Sequence, residues 1–311
     1  MIVFIAGGAG DVGRYLVKCF SRQGHQVIVL DRAPGMPSGY EEYPAAYYRG
    51  SLTDKALVRE ALEGAEVVIN LAWSFADEAQ TIFAEDIQGQ IHLLEAAREI
   101  EVRSFLYTST ATVYGRAMSH PVTESHPCLV EEARKPLYAL GKYTAEKLGL
   151  IYAREYHLPV TIFRFWWAFG EHIGGRHLRE LVRKALENQP LDMAAGAGGT
   201  FVTMADLAEA MRLAVGNSQA AGQIYNVGSL FLTWEEIAAM IIDLVGSQSS
   251  LNLIPGERWE GPAFLNEVWD LTWEKATREL GYRPRRTAGE TRAMFIQALK
   301  NCIERVKEEK S

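Results

Sequence analysis

The turn that ends the first apolar run constrains this chain more than any other feature. Ile2–Ala6 is short and wholly apolar and empties into Gly7-Gly8-Ala9-Gly10-Asp11-Val12-Gly13; Val12, Leu16, Val17 and Phe20 then recur at helical spacing through Asp11–Gln23. A strand, a turn with glycines at 7, 10 and 13, and a helix form a unit whose backbone must turn sharply, approach a ligand closely and pack helix on strand. The free N–H groups and partial positive charge at the start of that helix suit a phosphate. Asp31 closes the next apolar run, Gln26–Leu30, at the distance along the chain from which a carboxylate reaches adenosine ribose hydroxyls. The pattern predicts a dinucleotide site that uses Gly7, Gly10, Asp11, Val12, Gly13 and Asp31. A carboxylate at Asp31 accepts hydrogen bonds from the ribose diol and repels a 2′-phosphate, which favours NAD over NADP. Arg32 is the competing signal, since an arginine there can pair with that phosphate.

The remaining pattern is α/β. Apolar runs at Ala46–Tyr48, Val67–Leu71, Ser104–Tyr107 and Val160–Phe165 alternate with helical patterns at Asp54–Leu62, from about Phe75 to Ile100, and at Leu137–Tyr156. This predicts a Rossmann-type, doubly wound parallel sheet. Beyond Arg164 the rhythm loosens. Helical patterns at Leu178–Glu187, Met204–Val215 and Trp234–Leu244 are broken by the Gly/Ala-rich stretch Ala194–Gly199 and a strand at Ile224–Val227. The expected division is a cofactor domain over 1–165, with 200–228 returning to it, a smaller substrate-binding lobe from 166–199 and 229–285, and a C-terminal helix over 286–311.

Bulk properties narrow the function classes. Of 311 residues, 48% are hydrophobic and 23% charged, the balance of a globular protein with a buried core. A net charge of −7 argues against nucleic acid, whose binding needs a basic face, and Arg283–Arg286 reads as a solvated loop. Cys19, Cys128 and Cys302 form neither a disulfide framework nor a metal pair. No apolar run is long enough to span a bilayer, and Met1–Ile5 reads as a strand, not a leader. A cytoplasmic protein without a membrane partner is expected.

A catalytic pair sits at Tyr138-Ala-Leu-Gly-Lys142, whose i, i+4 spacing puts both side chains on one helix face. A phenol is a poor base at neutral pH, and a neighbouring ammonium together with the positive charge of a nicotinamide favours its phenolate. The strand Ser104–Tyr107 runs into Thr108-Ser109-Thr110-Ala111-Thr112-Val113-Tyr114-Gly115, a hydroxyl cluster at a strand's carboxyl end, where a hydroxyl can hold a substrate oxygen beside Tyr138.

These motifs occur in a familiar order with Asn70-Leu-Ala72, Asp86-Ile-Gln-Gly89, Leu94-Glu-Ala-Ala97, Arg164, Phe201-Val-x-x-x-Asp206, Tyr225-Asn-Val-Gly228 and Leu280-Gly-Tyr-x-Pro284. As a set spanning nearly the whole chain they resemble the NAD-dependent epimerase/dehydratase family, the extended short-chain dehydrogenases, whose members act on nucleotide sugars such as UDP-galactose. The resemblance implies that Thr110 and Tyr138 are catalytic and that Lys142 binds the nicotinamide ribose. It places Asp31 on the adenosine ribose, Ser51 and Leu52 near the adenine, and Leu71, Ala72 and Thr108 on the nicotinamide side. Trp73, Thr110, Ala111, Thr112, Trp166, Trp167 and Arg176 are the expected substrate contacts.

The departures from that family are informative. Ala111 and Thr112 stand where sugar dehydratases carry an Asp-Glu pair, so loss of water is not expected. Trp167 replaces an asparagine and Gly199 an arginine that both usually grip the substrate diphosphate; Arg176, Arg179 or Arg183 could supply charge instead. Trp166 and Trp167 read equally well as packing of the lobe. His172 and His177 match no metal spacing, and no metal is expected. Glu124 and His126 read as an exposed loop. The leading expectation is an NAD-dependent sugar or nucleotide-sugar epimerase acting through a transient ketone. A dehydrogenase or reductase of a smaller hydroxy compound is the alternative, and a non-catalytic NAD(H) sensor a third reading. By family analogy, the apolar faces of Phe75–Ile100 and Leu137–Tyr156 imply a homodimer.

Overall fold

The computed structural model describes residues 1–309 of the chain. Its main sheet joins β1 (Ile2–Ala6), β2 (Gln26–Asp31), β3 (Ala46–Arg49), β4 (Val67–Asn70), β5 (Ser104–Thr108), β6 (Val160–Arg164) and, after a long excursion, β10 (Gln223–Asn226). The order across the sheet is β10-β6-β5-β4-β1-β2-β3, with every pair parallel. Parallel strands need crossovers, which put helices on both faces. Hence β4, β5 and β6 are buried along their whole length instead of alternating. The helices are α1 (Asp11–Arg22), α2 (Lys55–Ala61), α3 (Ala79–Thr81), α4 (Gln88–Glu99), α5 (Pro136–Tyr156) and, after β6, α7 (Met204–Ala214). The chain reverses its winding between β1 and β4, which opens a crevice at their carboxyl ends, where ligands bind in such sheets.

The helix expected from Phe75 starts later and is interrupted. Phe75 has φ +57°, a left-handed conformation that cannot belong to a helix. After α3 the chain makes a π-helical stretch, Ile82–Ile87, before α4 begins. The wider turn buries Ile82, Asp86 and Ile87 together, which a regular 3.6-residue period would not do.

Residues outside the main sheet form a smaller assembly. β9 (Gly198–Thr203) pairs with β7 (Trp167–Phe169), β11 (Leu230–Thr233) and β13 (Val268–Trp269), while β8 (Leu191–Ala194) pairs with β12 (Leu251–Ile254). The Ala194–Gly199 stretch is therefore not a plain separator, because it holds the end of one strand and the start of another. Of the stretch 200–228, β10 lies in the main sheet and β9 does not. α6 (Arg176–Leu186), α8 (Trp234–Val245) and α10 (Ala288–Glu308) cover these strands, with α9 (Glu274–Leu280) against α7. Positions 310 and 311 of the expected C-terminal helix lie outside the described residues. The smaller core gathers Phe169, Phe201, Trp234, Ile237 and Phe295, separate from the two cores flanking the main sheet.

Candidate active site

The crevice between β1 and β4 is a cleft of about 470 Å³ lined by Gly7, Gly10, Asp31, Arg32, Leu52, Leu71, Ala72 and Trp73, with Ser74, Phe75, Glu85 and Asp86 closing its far side. Its floor depends on two missing side chains. Gly7 has φ +77°, and a Cβ there would fall 2.8 Å from Ala72 N; a Cβ on Gly13 would fall 2.1 Å from the Gly7 carbonyl oxygen. The second clash is between backbones, so α1 sits as close to β1 as it does only with glycine at 13. No side chain caps α1, leaving its first-turn N–H groups free for an anion. Asp31 is held in place at the mouth: Oδ2 accepts from Ala9 N at 2.9 Å and Oδ1 from Ala33 N at 3.0 Å. A cradle without Cβ atoms, an uncapped helix start and an oriented carboxylate together fit the pyrophosphate and adenosine ribose of NAD.

Other expected cofactor residues serve this frame without lining the cleft. Val12 packs into the core beneath α1, and Asp11 is exposed and paired with Arg14 at 2.6 Å. Ser51 binds Thr53 through its hydroxyl (Oγ to Oγ1 2.9 Å), shaping the turn before α2. Thr108 donates its hydroxyl to Asn70 O at 3.1 Å, tying β5 to β4.

The residues expected to be catalytic stand at the end of β5. Tyr138, Lys142 and Glu146 recur every four residues on the inner face of α5. Glu146 forms a buried two-point ion pair with Arg164 of β6, with N–O distances of 2.9 and 2.6 Å, which fixes the rotation of the helix. Gly141 lets the helix close on Ile82 and Trp73, whose atoms would meet a Cβ at 2.5 and 3.1 Å. Lys142 is buried; its Nζ donates to Thr108 O at 3.0 Å and lies 4.1 Å from the centre of the Trp73 ring. Burial pushes its ammonium down to about 7, against the pull of the Asp86 and Glu146 carboxylates. Tyr138 stands edge-on to Trp73 and stacks on Phe75 at 5.9 Å. Burial pushes its phenol up to about 12; a hydrogen bond with Thr110 opposes this and the Asp86 charge adds to it. Thr110 in turn shares a hydrogen bond with Thr112 (Oγ1 to Oγ1 2.9 Å) and accepts from Thr112 N at 3.1 Å. The sequence expectation is that the Lys142 ammonium and the positive charge of a bound nicotinamide together lower the Tyr138 phenol, and the geometry bears on the first of the two. Lys142 is turned to a carbonyl and an indole, its own charge is weakened by burial, and phenol activation falls to charge brought in by the ligands.

Spacing pointed to Tyr138 and Lys142, and the family resemblance to Thr110 within the hydroxyl cluster, but three neighbours were missed. Asp86 accepts from Ser74 N at 2.7 Å and Ser74 Oγ at 2.6 Å, and burial pushes its carboxyl above the usual range. Its motif was visible, though no role followed from it. Phe75 was hidden in an expected helix, and Glu85 carried no signal at all.

On the substrate side, Ala111 is buried and Trp166 packs against its cluster. Trp166 and Trp167 lie at 5.1 and 5.9 Å from the Phe201 ring and close against Trp234. A Cβ on Gly199 would come within 2.3 Å of the Trp166 ring, so the glycine and the tryptophan are one steric arrangement. Arg176 opens α6 on the surface, while Arg179 and Arg183 are engaged by Glu309. His177 is wedged between Trp234 and Phe264, and burial pushes its imidazole down to about 4. Glu124 and His126, read as an exposed loop, turn inward: Glu124 Oε1 accepts from Asn226 N at 2.8 Å, and buried His126 accepts from Met118 N at 2.9 Å. Unpaired backbone donors drew both side chains in.

Comparison with known proteins agrees with this fold. A Bacillus subtilis protein described as an uncharacterized UDP-glucose epimerase, YtcB, is 24% identical over 275 residues, 81% of this chain and 84% of its own. UDP-glucose 4-epimerase of Thermotoga maritima, solved with UDP-glucose, superposes over the whole of both chains with a TM-score of 0.76 at 21% identity. UDP-glucuronic acid 4-epimerase from Bacillus cereus, solved with UDP-glucuronic acid and NAD, covers 97% of this chain and 99% of its own with a TM-score of 0.77 at 21% identity. Residues 3–228 match the model of the NAD dependent epimerase/dehydratase family, and the chain belongs to that family, an enzyme lineage of the extended short-chain dehydrogenase type with NAD as its cofactor.

Proposed function

We propose that the protein is an epimerase of a sugar or nucleotide sugar that works through a transient ketone of the substrate. The observation that carries this reading is the meeting of Thr110, Tyr138 and Lys142 at the carboxyl end of β5. Bound NAD would supply a reversible acceptor of hydride, held by the Gly7–Gly13 turn and Asp31. Tyr138 Oη takes the proton of a secondary hydroxyl and later returns it to the ketone oxygen. Thr110 Oγ1 holds that oxygen by hydrogen bonding while charge develops on it. Lys142 anchors α5 to Thr108 O and so holds Tyr138, one turn before it, beside Thr110. Elimination of water has no acid–base pair here, because Ala111 is an alkyl group and the Thr112 hydroxyl is bound to Thr110.

The test is to purify the protein, measure bound NAD, and incubate it with UDP-sugars and free aldoses. Interconversion of epimers without net NADH supports the reading. Stoichiometric release of NADH with a ketone product replaces it with a dehydrogenase. Exposed apolar side chains Phe83, Leu137, Leu140 and Ile151 lie on the Ile82–Ile87 stretch and on α5, and we propose that they pair two copies of the chain. Light scattering of the native protein and of Leu140→Glu/Ile151→Glu is expected to give a dimer and a monomer respectively.

A further inference from the structure

The cofactor cleft carries a clasp at its mouth. Arg32 follows Asp31 off the end of β2, and its Nη2 lies 2.5 Å from Oε2 of Glu85, which stands across the cleft on the Ile82–Ile87 stretch. Asp31, Arg32 and Glu85 all line the cleft, and Arg32 is the only cation among its described lining residues. The two side chains are 57% and 37% exposed, so their pairing adds little to stability and can open and re-form.

Asp31 and Arg32 give opposite readings of cofactor preference. A guanidinium beside an adenosine ribose would pair in two-point fashion with a 2′-phosphate, which outweighs the repulsion from a single carboxylate. Arg32 pairs with Glu85 and not with its chain neighbour Asp31, whose oxygens accept from Ala9 N and Ala33 N. The arginine is instead drawn across the mouth by Glu85.

We propose that Glu85 is a cofactor-selectivity residue: it keeps Arg32 occupied, and so withholds this cation of the cleft mouth from a 2′-phosphate. Discrimination against NADP is then a property of three residues. Asp31 repels the phosphate, and the clasp between Glu85 and Arg32 removes the arginine that would offset that repulsion. Nothing in this arrangement touches the nicotinamide end, where Tyr138 and Lys142 act.

The experiment is a fluorescence titration of NADH and NADPH into the native protein, Glu85→Gln and the double variant Arg32→Gln/Glu85→Gln, with a thermal melt of each. Glu85→Gln is expected to tighten NADPH about tenfold, or about 1.4 kcal/mol, while NADH stays within about threefold. In the double variant the NADPH gain should vanish, because the freed arginine is what binds. Added salt should shrink the gain in Glu85→Gln, as for any exposed charge pair. An NADPH affinity unchanged by Glu85→Gln overturns the proposal. So does a gain that persists without Arg32, since loss of negative charge alone would then explain it. The melts should agree, as both positions are on the surface.

Discussion

At the cofactor cleft the side chains answer to the backbone, whereas in the smaller assembly around β9 they answer to one another. Gly7 and Gly13 are required by main-chain atoms that lie within 2.8 and 2.1 Å of where a Cβ would be, and main-chain atoms do not move aside. Gly199 is as tightly placed, yet its neighbour is the Trp166 ring, which could be a different residue. Trp166 and Trp234 meet their aromatic neighbours edge to face, Trp167 stacks on Phe201, and each defines the space left for the next. A region of the first kind accepts few sequences. One of the second kind accepts many, provided they change together.

The contrast predicts where substitutions act. Tyr138→Phe removes the proton carrier and leaves the ring stack with Phe75 in place, so NADH affinity should match the native protein while kcat falls by about 10³. Loss of cofactor affinity together with kcat would show that Tyr138 belongs to the binding frame instead.

The mutual packing is tested by restoring what the family usually carries. Gly199→Arg drives a side chain into the Trp166 ring and should destabilise the fold by about 2 kcal/mol in a denaturant melt. Trp166→Ala alone opens a cavity and should cost about 3 kcal/mol. Combined, the two should cost clearly less than their sum, because each removes the other's problem. Additive costs would mean that Gly199 is fixed by its backbone after all, and the distinction between the regions would fall.

This also explains what could be read from the residues in order. The glycine turn, Asp31 and the Tyr138–Lys142 spacing follow from local backbone geometry, and the parallel sheet follows from buried runs alternating with helices. Asp86 was legible as part of a motif but its role was not, since the contact with Ser74 forms across a loop whose path no regular period announces. Phe75 was assigned to a helix because its left-handed φ leaves no trace in composition. Glu85 meets Arg32 only through folding, 53 residues away. Trp167 and Gly199 were legible as departures but not as one packing arrangement, because they pack through Trp166 and Phe201.

The reactive side also differs from the lobe in stability. Lys142 is buried with an affinity for protons lowered to about 7, so folding at neutral pH opposes its charge. Between about pH 7 and its unfolded value near 10.4 the unfolded chain binds the extra proton, so stability rises with pH across that window. Lys142→Met should therefore lose activity and gain on the order of 2 kcal/mol of stability at pH 7. The gain should shrink steadily toward pH 10. A variant less stable than native at pH 7 would show that the bond to Thr108 O and the Trp73 contact outweigh the buried charge.

The smallest expected effect concerns Asp86, whose carboxylate raises the Tyr138 phenol and supports the Lys142 charge. Asp86→Asn keeps an acceptor for Ser74 N, so the loop at the cleft mouth should hold its place. Removing the negative charge makes the phenolate easier to form, and the acidic limb of the kcat profile should move to lower pH. At its optimum, kcat should stay within about threefold of the native value, a change of about 0.65 kcal/mol in barrier. A limb that stays put, with KM for substrate raised instead, would show that Asp86 acts through Ser74 and Phe75 as a support for the loop. The pH profile separates these because only a charge reaches Tyr138 without touching it.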